Sequence, residues 1–64
     1  MYNIYLISTD TFEATKLLKT DVSIYDVADI EMSEQKRYNP IEFYVAGFEI
    51  GSSEDIRHSK VVGL

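Results

Sequence analysis

The sequence predicts an α+β domain: a small antiparallel sheet with one or two helices packed on one face. Three observations predict it. Runs rich in β-branched and aromatic residues stand at Tyr2 to Ser8 and Ile41 to Ile50. Helix-start residues (Ser, Thr, Asp, with acids in the following turn) stand at Ser8 to Asp10 and Gly51 to Ser53. The chain has 64 residues, 45% of them hydrophobic, which predicts one compact domain over residues 1–64 and no room for a second.

The elements follow in order. In Tyr2 to Ser8, Ile4 and Leu6 share one face, and Tyr5 and Ile7 make the other face apolar too. A strand apolar on both faces is central in its sheet or covered twice. Pairing with a second copy is one way to cover it. Asp10 as N-cap, with Glu13 three residues on, predicts a helix from Thr11 to Lys19 with the stripe Ala14, Leu17 and Leu18. Phe12 lies off that stripe. It either curls back over the first strand or stands out as an aromatic anchor for a partner. Asp21 to Val27 reads equally as a short helical turn begun by Ser23 and Asp26 or as a loop.

Ala28 to Gln35 alternates: Ala28, Ile30 and Met32 on one face, Asp29, Glu31, Ser33 and Gln35 on the other. That predicts a half-buried strand with an acidic outer face. Lys36 to Pro40 is a turn, broken at Asn39-Pro40. In Ile41 to Ile50 the apolar set passes from Ile41, Phe43 and Val45 to Phe48 and Ile50, which predicts a β-bulge at Ala46-Gly47. Glu42, Tyr44 and Glu49 then face outward. Gly51 to Ser53 starts a second helix, about Glu54 to Ser59, with acids in its first turn and His58 and Lys60 at its end. Val61 to Leu64 is a last strand or a tail. The order is βαββα, with an optional final β, which is ferredoxin-like in miniature.

Composition removes several classes of function. There is no cysteine, so disulfides, thiolate metal sites and thiol nucleophiles are excluded. A secreted domain this small usually needs such staples, so an intracellular, cytoplasmic home is expected. The longest stretch without charge, Met1 to Thr9, is far short of the roughly 20 apolar residues of a membrane span. No basic residue precedes it, so it does not read as a signal peptide. Domains of this size bury little surface, which favours self-association or a stabilising partner.

The net charge is −5 and unevenly placed. Residues 1–34 hold seven acids and two bases, whereas residues 35–64 hold four of each. Between Thr20 and Glu34 stand Asp21, Asp26, Asp29, Glu31 and Glu34 with no base. Such a field repels nucleic acid and anionic membranes and attracts basic protein surfaces. The plain reading of these acids is a solvated strand face. Their spacing matches no calcium loop, so no metal is expected. On a strand, Asp29 and Glu31 would stand about 7 Å apart, near the spacing of phosphates along one DNA strand. That spacing suits a nucleic-acid mimic that competes for a basic groove.

Other motifs carry less. Lys36, Arg37 and Tyr38 form the one basic spot with an aromatic. Two bases are too few for nucleic acid, so the choice is an ordinary turn or a protein contact through Arg37 and Tyr38. His58 is the only histidine, and Ser59 beside it on a helix points elsewhere. The residue reads as a charge at a helix end rather than a catalytic base. No glycine motif cradles a phosphate, and no cofactor is expected.

The resulting expectation is a non-enzymatic, acidic protein-binding module that modulates or inhibits a partner with a basic surface. Its partner-binding residues are Asp26, Asp29, Glu31, Glu34, Arg37, Tyr38, Glu42 and Tyr44. Its size and charge suit the small proteins with which phages and mobile elements disable host machinery. The alternative is a homodimeric regulatory or ligand-sensing domain. Direct nucleic-acid or membrane binding is not expected.

Overall fold

A computed structural model describes residues 1–63. The elements are β1 (Tyr2–Ser8), β2 (Ala14–Val22), α1 (Ile24–Gln35), β3 (Phe43–Glu49) and α2 (Ser53–Val62). The three strands form one antiparallel sheet in the order β2-β1-β3. This is a small α+β domain, as the sequence predicts. The order, however, is ββαβα, so the ferredoxin-like order is not the order of this chain. The helices also cover opposite faces of the sheet, not one.

Both outcomes trace to β1. On one face Ile4 and Leu6 pack with Val22, Val45 and half-buried Val27 and Ile30 of α1. On the other face Tyr5 and Ile7 pack with Ala14, Leu17, Phe48 and Val62 of α2. A central strand apolar on both sides needs an apolar cover on each. The second face is therefore covered within the chain, by α2.

Residues 11–19 are not helical. Ser8 to Glu13 is a hairpin loop closed by Ser8 N–H donating to Glu13 C=O at 3.0 Å, with Phe12 N–H donating to Ser8 C=O at 2.8 Å. The Ser8 hydroxyl also accepts from the amides of Asp10 and Thr11. Ala14 onward is strand, because β2 slips register against β1 between Tyr2 and Ile4, between Ile4 and Tyr5, and between Leu6 and Ile7. Each slip inserts a residue. Ala14 and Leu17 thus reach the same side of the sheet three residues apart, and helix-like spacing appears in a bulged strand. Phe12 takes a left-handed φ of 58° and its side chain is exposed.

Residues 28–35 are not a strand. Ser23 is the N-cap of α1, and its hydroxyl accepts from the Tyr25 amide at 3.3 Å. Of Asp21 to Val27, read as helical turn or loop, Asp21 and Val22 instead end β2, and Ile24 to Val27 are helical, in a helix that runs to Gln35. The β3 register against β1 runs without a break from Tyr2 opposite Glu49 to Ser8 opposite Phe43. There is no bulge at Ala46-Gly47. Phe48 and Tyr44 instead face the α2 side, and Ile50 lies outside the strand, exposed. Gly47 answers a different need: a Cβ there would sit 2.9 Å from Val27 Cγ1 of α1. Close approach of a helix, not a register change, excludes a side chain.

α2 starts at Ser52, whose hydroxyl accepts from the Asp55 amide at 3.3 Å, and ends at Gly63 with a left-handed φ of 77°. Val61 and Val62 are helical, so the strand expected over residues 61–64 does not form there; Leu64 lies outside the described residues. No helix among the described residues is long and apolar enough to cross a membrane.

Candidate functional site

Two regions concentrate chemistry. The first lies under α2. Asp55 is 5% exposed, and its Oδ1 accepts from Tyr5 Oη at 2.7 Å and from Asn3 Nδ2 at 2.9 Å. Its Oδ2 accepts the Gly51 amide at 2.9 Å. Asn3 Oδ1 in turn accepts from the Thr20 hydroxyl of β2 at 2.6 Å. One carboxylate thus ties β1, the Gly51 turn and α2 together, and through Asn3 it reaches β2. Burial alone would raise the Asp55 pKa. The Gly51 amide, the Tyr5 hydroxyl and the Asn3 amide, with the nearby His58, overcome this and hold it below the usual carboxylate range. Burial, with the Asp55 carboxylate beside it, pushes Tyr5 up to about 12.

His58 is 1% exposed and lies against Phe48 and Tyr5, with ring centroids 4.8 and 5.6 Å away. It is not the solvent-facing helix-end charge that the sequence suggests. Burial first, then the Arg57 guanidinium, push its pKa down, against the opposing pull of Glu54 and Asp55. The Arg57 Nη2 lies 3.3 Å from Nε2. Nδ1 has no partner among the described residues. Asp55 and His58 are buried between helix and sheet, and exposed Arg57 lies over His58. What the arrangement does chemically is lock α2 in place.

The second region is α1 and the outer edge of β3. No residue of α1 is fully buried. Two of its polar side chains, Glu31 and Gln35, turn toward the sheet. Gln35 Nε2 donates to Phe43 C=O at 3.1 Å, and Gln35 Oε1 accepts the Val45 amide at 2.8 Å. The side-chain amide thereby imitates a neighbouring strand. Glu31 Oε2 accepts the Gly47 amide at 2.8 Å. Large apolar side chains turn outward instead: Tyr25 is 89% exposed and Met32 65%. Beside β3 an open groove of about 610 Å³ runs from Glu31, Met32, Gln35 and Lys36 to Tyr38, Pro40 and Val45. Ile41, next to Pro40 in the chain, is 82% exposed.

The residues expected to bind a partner are divided by this arrangement. Asp26 and Asp29 are exposed on α1 with Tyr25 and Met32. Glu31 is half-buried and turned to β3. Asp29 and Glu31 therefore do not form a phosphate-like row, because residues two apart on a helix point about 200° apart. Glu34 is half-buried near Arg37, with Oε2 3.9 Å from the guanidinium Nε. Tyr38 packs edge-on against Phe43 at 6.4 Å on the α1 side of the sheet. Glu42 is exposed, and its C=O accepts from Thr9. Tyr44 is half-buried on the opposite, α2 side. Gln35, Met32, Pro40 and Val45 were not legible as site residues. Residues 28–35 read as a strand, so nothing in the sequence brought Met32 and Gln35 beside Pro40 and Val45.

No protein-family model matches this chain, and neither the curated proteins nor the solved structures compared with it provide a significant match.

Proposed function

We propose that this chain is a small acidic protein-binding module that modulates or inhibits a partner by occupying a basic surface on it. One observation carries the reading. α1 holds four acids and no base, buries no residue fully, and presents Tyr25 and Met32 to solvent beside Asp26 and Asp29. Exposed aromatic and methionine side chains within a field of one sign are the composition of a binding surface: apolar anchors supply affinity and charge supplies steering. The net charge of −5 directs that surface toward cationic partners.

The experiment is an affinity capture from source-cell and host lysates, with the native chain and an Asp26→Lys/Asp29→Lys variant side by side. Both positions are exposed, so the fold is retained, which circular dichroism checks. The expected result is one stoichiometric partner that loosens as salt rises and is lost by the variant. Absence of any partner, or equal capture by the variant, overturns the reading.

A further inference from the structure

The groove beside β3 extends the protein-binding reading and rests on it. Val45 lies at its base, with Met32, Tyr38 and Pro40 around it. One carboxylate enters this apolar setting, that of half-buried Glu31. Its Oε2 holds the Gly47 amide, and the one ion pair among the described residues joins Arg37 to Glu34, not to Glu31. A half-buried carboxylate with no cation within ion-pair distance, although Lys36 lines the same groove, is an ionic arrangement missing its second half.

Main-chain pairing is closed off here. Phe43 C=O and Val45 N–H are taken by Gln35, and Gly47 N–H by Glu31. A partner strand would have to evict both side chains before it could add to β3. The occupant therefore docks through side chains.

We propose that this groove seats an arginine on an amphipathic segment of the partner protein, with its stem against Met32, Tyr38 and Pro40 and its guanidinium on Glu31. Arginine fits both halves of the site. Its stem is apolar, and its planar head is more weakly hydrated than an ammonium and leaves water more readily. The groove is larger than one side chain, so an apolar neighbour on the same segment also fits, against Tyr38 and Pro40. Lys36, at the far end of α1, is the only cation lining the groove and opposes such a guest.

The test titrates the full chain with a synthetic amphipathic helical peptide of leucine, alanine and arginine, and with the same peptide carrying glutamate for arginine. Calorimetry gives the affinity and amide shifts give the location. The arginine peptide is expected to bind, with the largest shifts at Val45 and Gly47, and the glutamate peptide to fail. Glu31→Gln keeps an acceptor for the Gly47 amide and so keeps the fold, yet should weaken binding about tenfold. Lys36→Glu should strengthen it. No binding, an unchanged Kd in Glu31→Gln, or shifts confined to Tyr25, Asp26 and Asp29 overturns the proposal. A cellular partner lost by Asp26→Lys/Asp29→Lys but indifferent to Glu31→Gln overturns the groove alone. An arginine peptide seated at Val45 and Gly47, with no cellular partner, upholds the groove and overturns the module.

Discussion

The two helices of this domain use their side chains in opposite ways. α2 turns two polar groups inward, Asp55 and His58, while Glu54, Arg57 and Lys60 stay exposed, and both helix ends are capped. α1 buries no residue fully, spends Glu31 and Gln35 on the free edge of β3, and leaves Tyr25 and Met32 in water. One helix is a lock and the other is a presented surface. Polarity alone therefore does not tell which side of a helix faces the core. For the Asp55 carboxylate what decides is that it finds three donors there, since a buried polar group is costly chiefly when unpaired.

The sharpest way to break the comparison is at Asp55. Asp55→Ala leaves Tyr5 Oη, Asn3 Nδ2 and the Gly51 amide without their acceptor. The expected loss is about 3 kcal/mol or more, a large part of the stability of a domain this small. Urea denaturation measures it. By contrast, Asp26→Ala and Asp29→Ala on the exposed side of α1 should change stability by about 0.5 kcal/mol or less. Equal losses in the two helices would end the distinction between lock and surface.

Gly47 tests how closely α1 is held. Gly47→Ala places a methyl 2.9 Å from Val27 Cγ1 and forces one of them to move. The expected cost is about 1–3 kcal/mol. Val27→Ala in the same chain removes the clashing atom, so the double variant should lose less than the two single losses added together. Strict additivity would mean that the glycine serves the backbone and not the contact.

The same contrast explains what was legible in the sequence. β1 was, because its apolar residues stand on both faces, and such a strand has to be covered on both. The start of α2 was, because Gly51-Ser52 is local chemistry. α1 was not: with Glu31 and Gln35 inward and Tyr25 and Met32 outward, the helical period cancels and a strand-like alternation remains at Ala28 to Gln35. β2 failed for the converse reason, since its bulges space Ala14 and Leu17 as a helix would. The acids Asp26 and Asp29 were legible as surface. That Glu31 reaches the Gly47 amide depends on a helix crossing a strand edge, which no local pattern encodes.

A smaller effect is expected at the edge that α1 protects. Gln35→Ala frees Phe43 C=O and Val45 N–H. Water replaces part of what is lost, so the cost is about 1 kcal/mol. The clearer readouts are faster hydrogen exchange at Val45 and a new tendency to self-associate, because an uncovered strand edge is a template for pairing. A variant that stays monomeric with native exchange at Val45 would show that the side-chain amide is incidental.

Near neutral pH the smallest effect is a slope, and it belongs to the lock. The His58 pKa is lowered in the fold from its ordinary 6.5, chiefly by burial and then by Arg57. The folded chain thus binds its proton less readily than the unfolded chain does. Stability from this group is complete above about 6.5 and declines as pH falls from there toward the folded value. Asp55, also lowered, adds a further loss below the ordinary carboxylate value of 3.8. Tyr5, raised to about 12, acts at the other limit: its contribution is intact below pH 10.0 and is lost as pH rises toward about 12. Urea midpoints should therefore be flat between about pH 7 and 9 and should begin to fall as pH drops below about 6.5. His58→Gln, whatever its own cost, should flatten that first decline and leave the Asp55 loss at lower pH. If the decline persists unchanged in His58→Gln, the acid sensitivity arises elsewhere, and α2 is held by Asp55 without help from the neutral imidazole beside it.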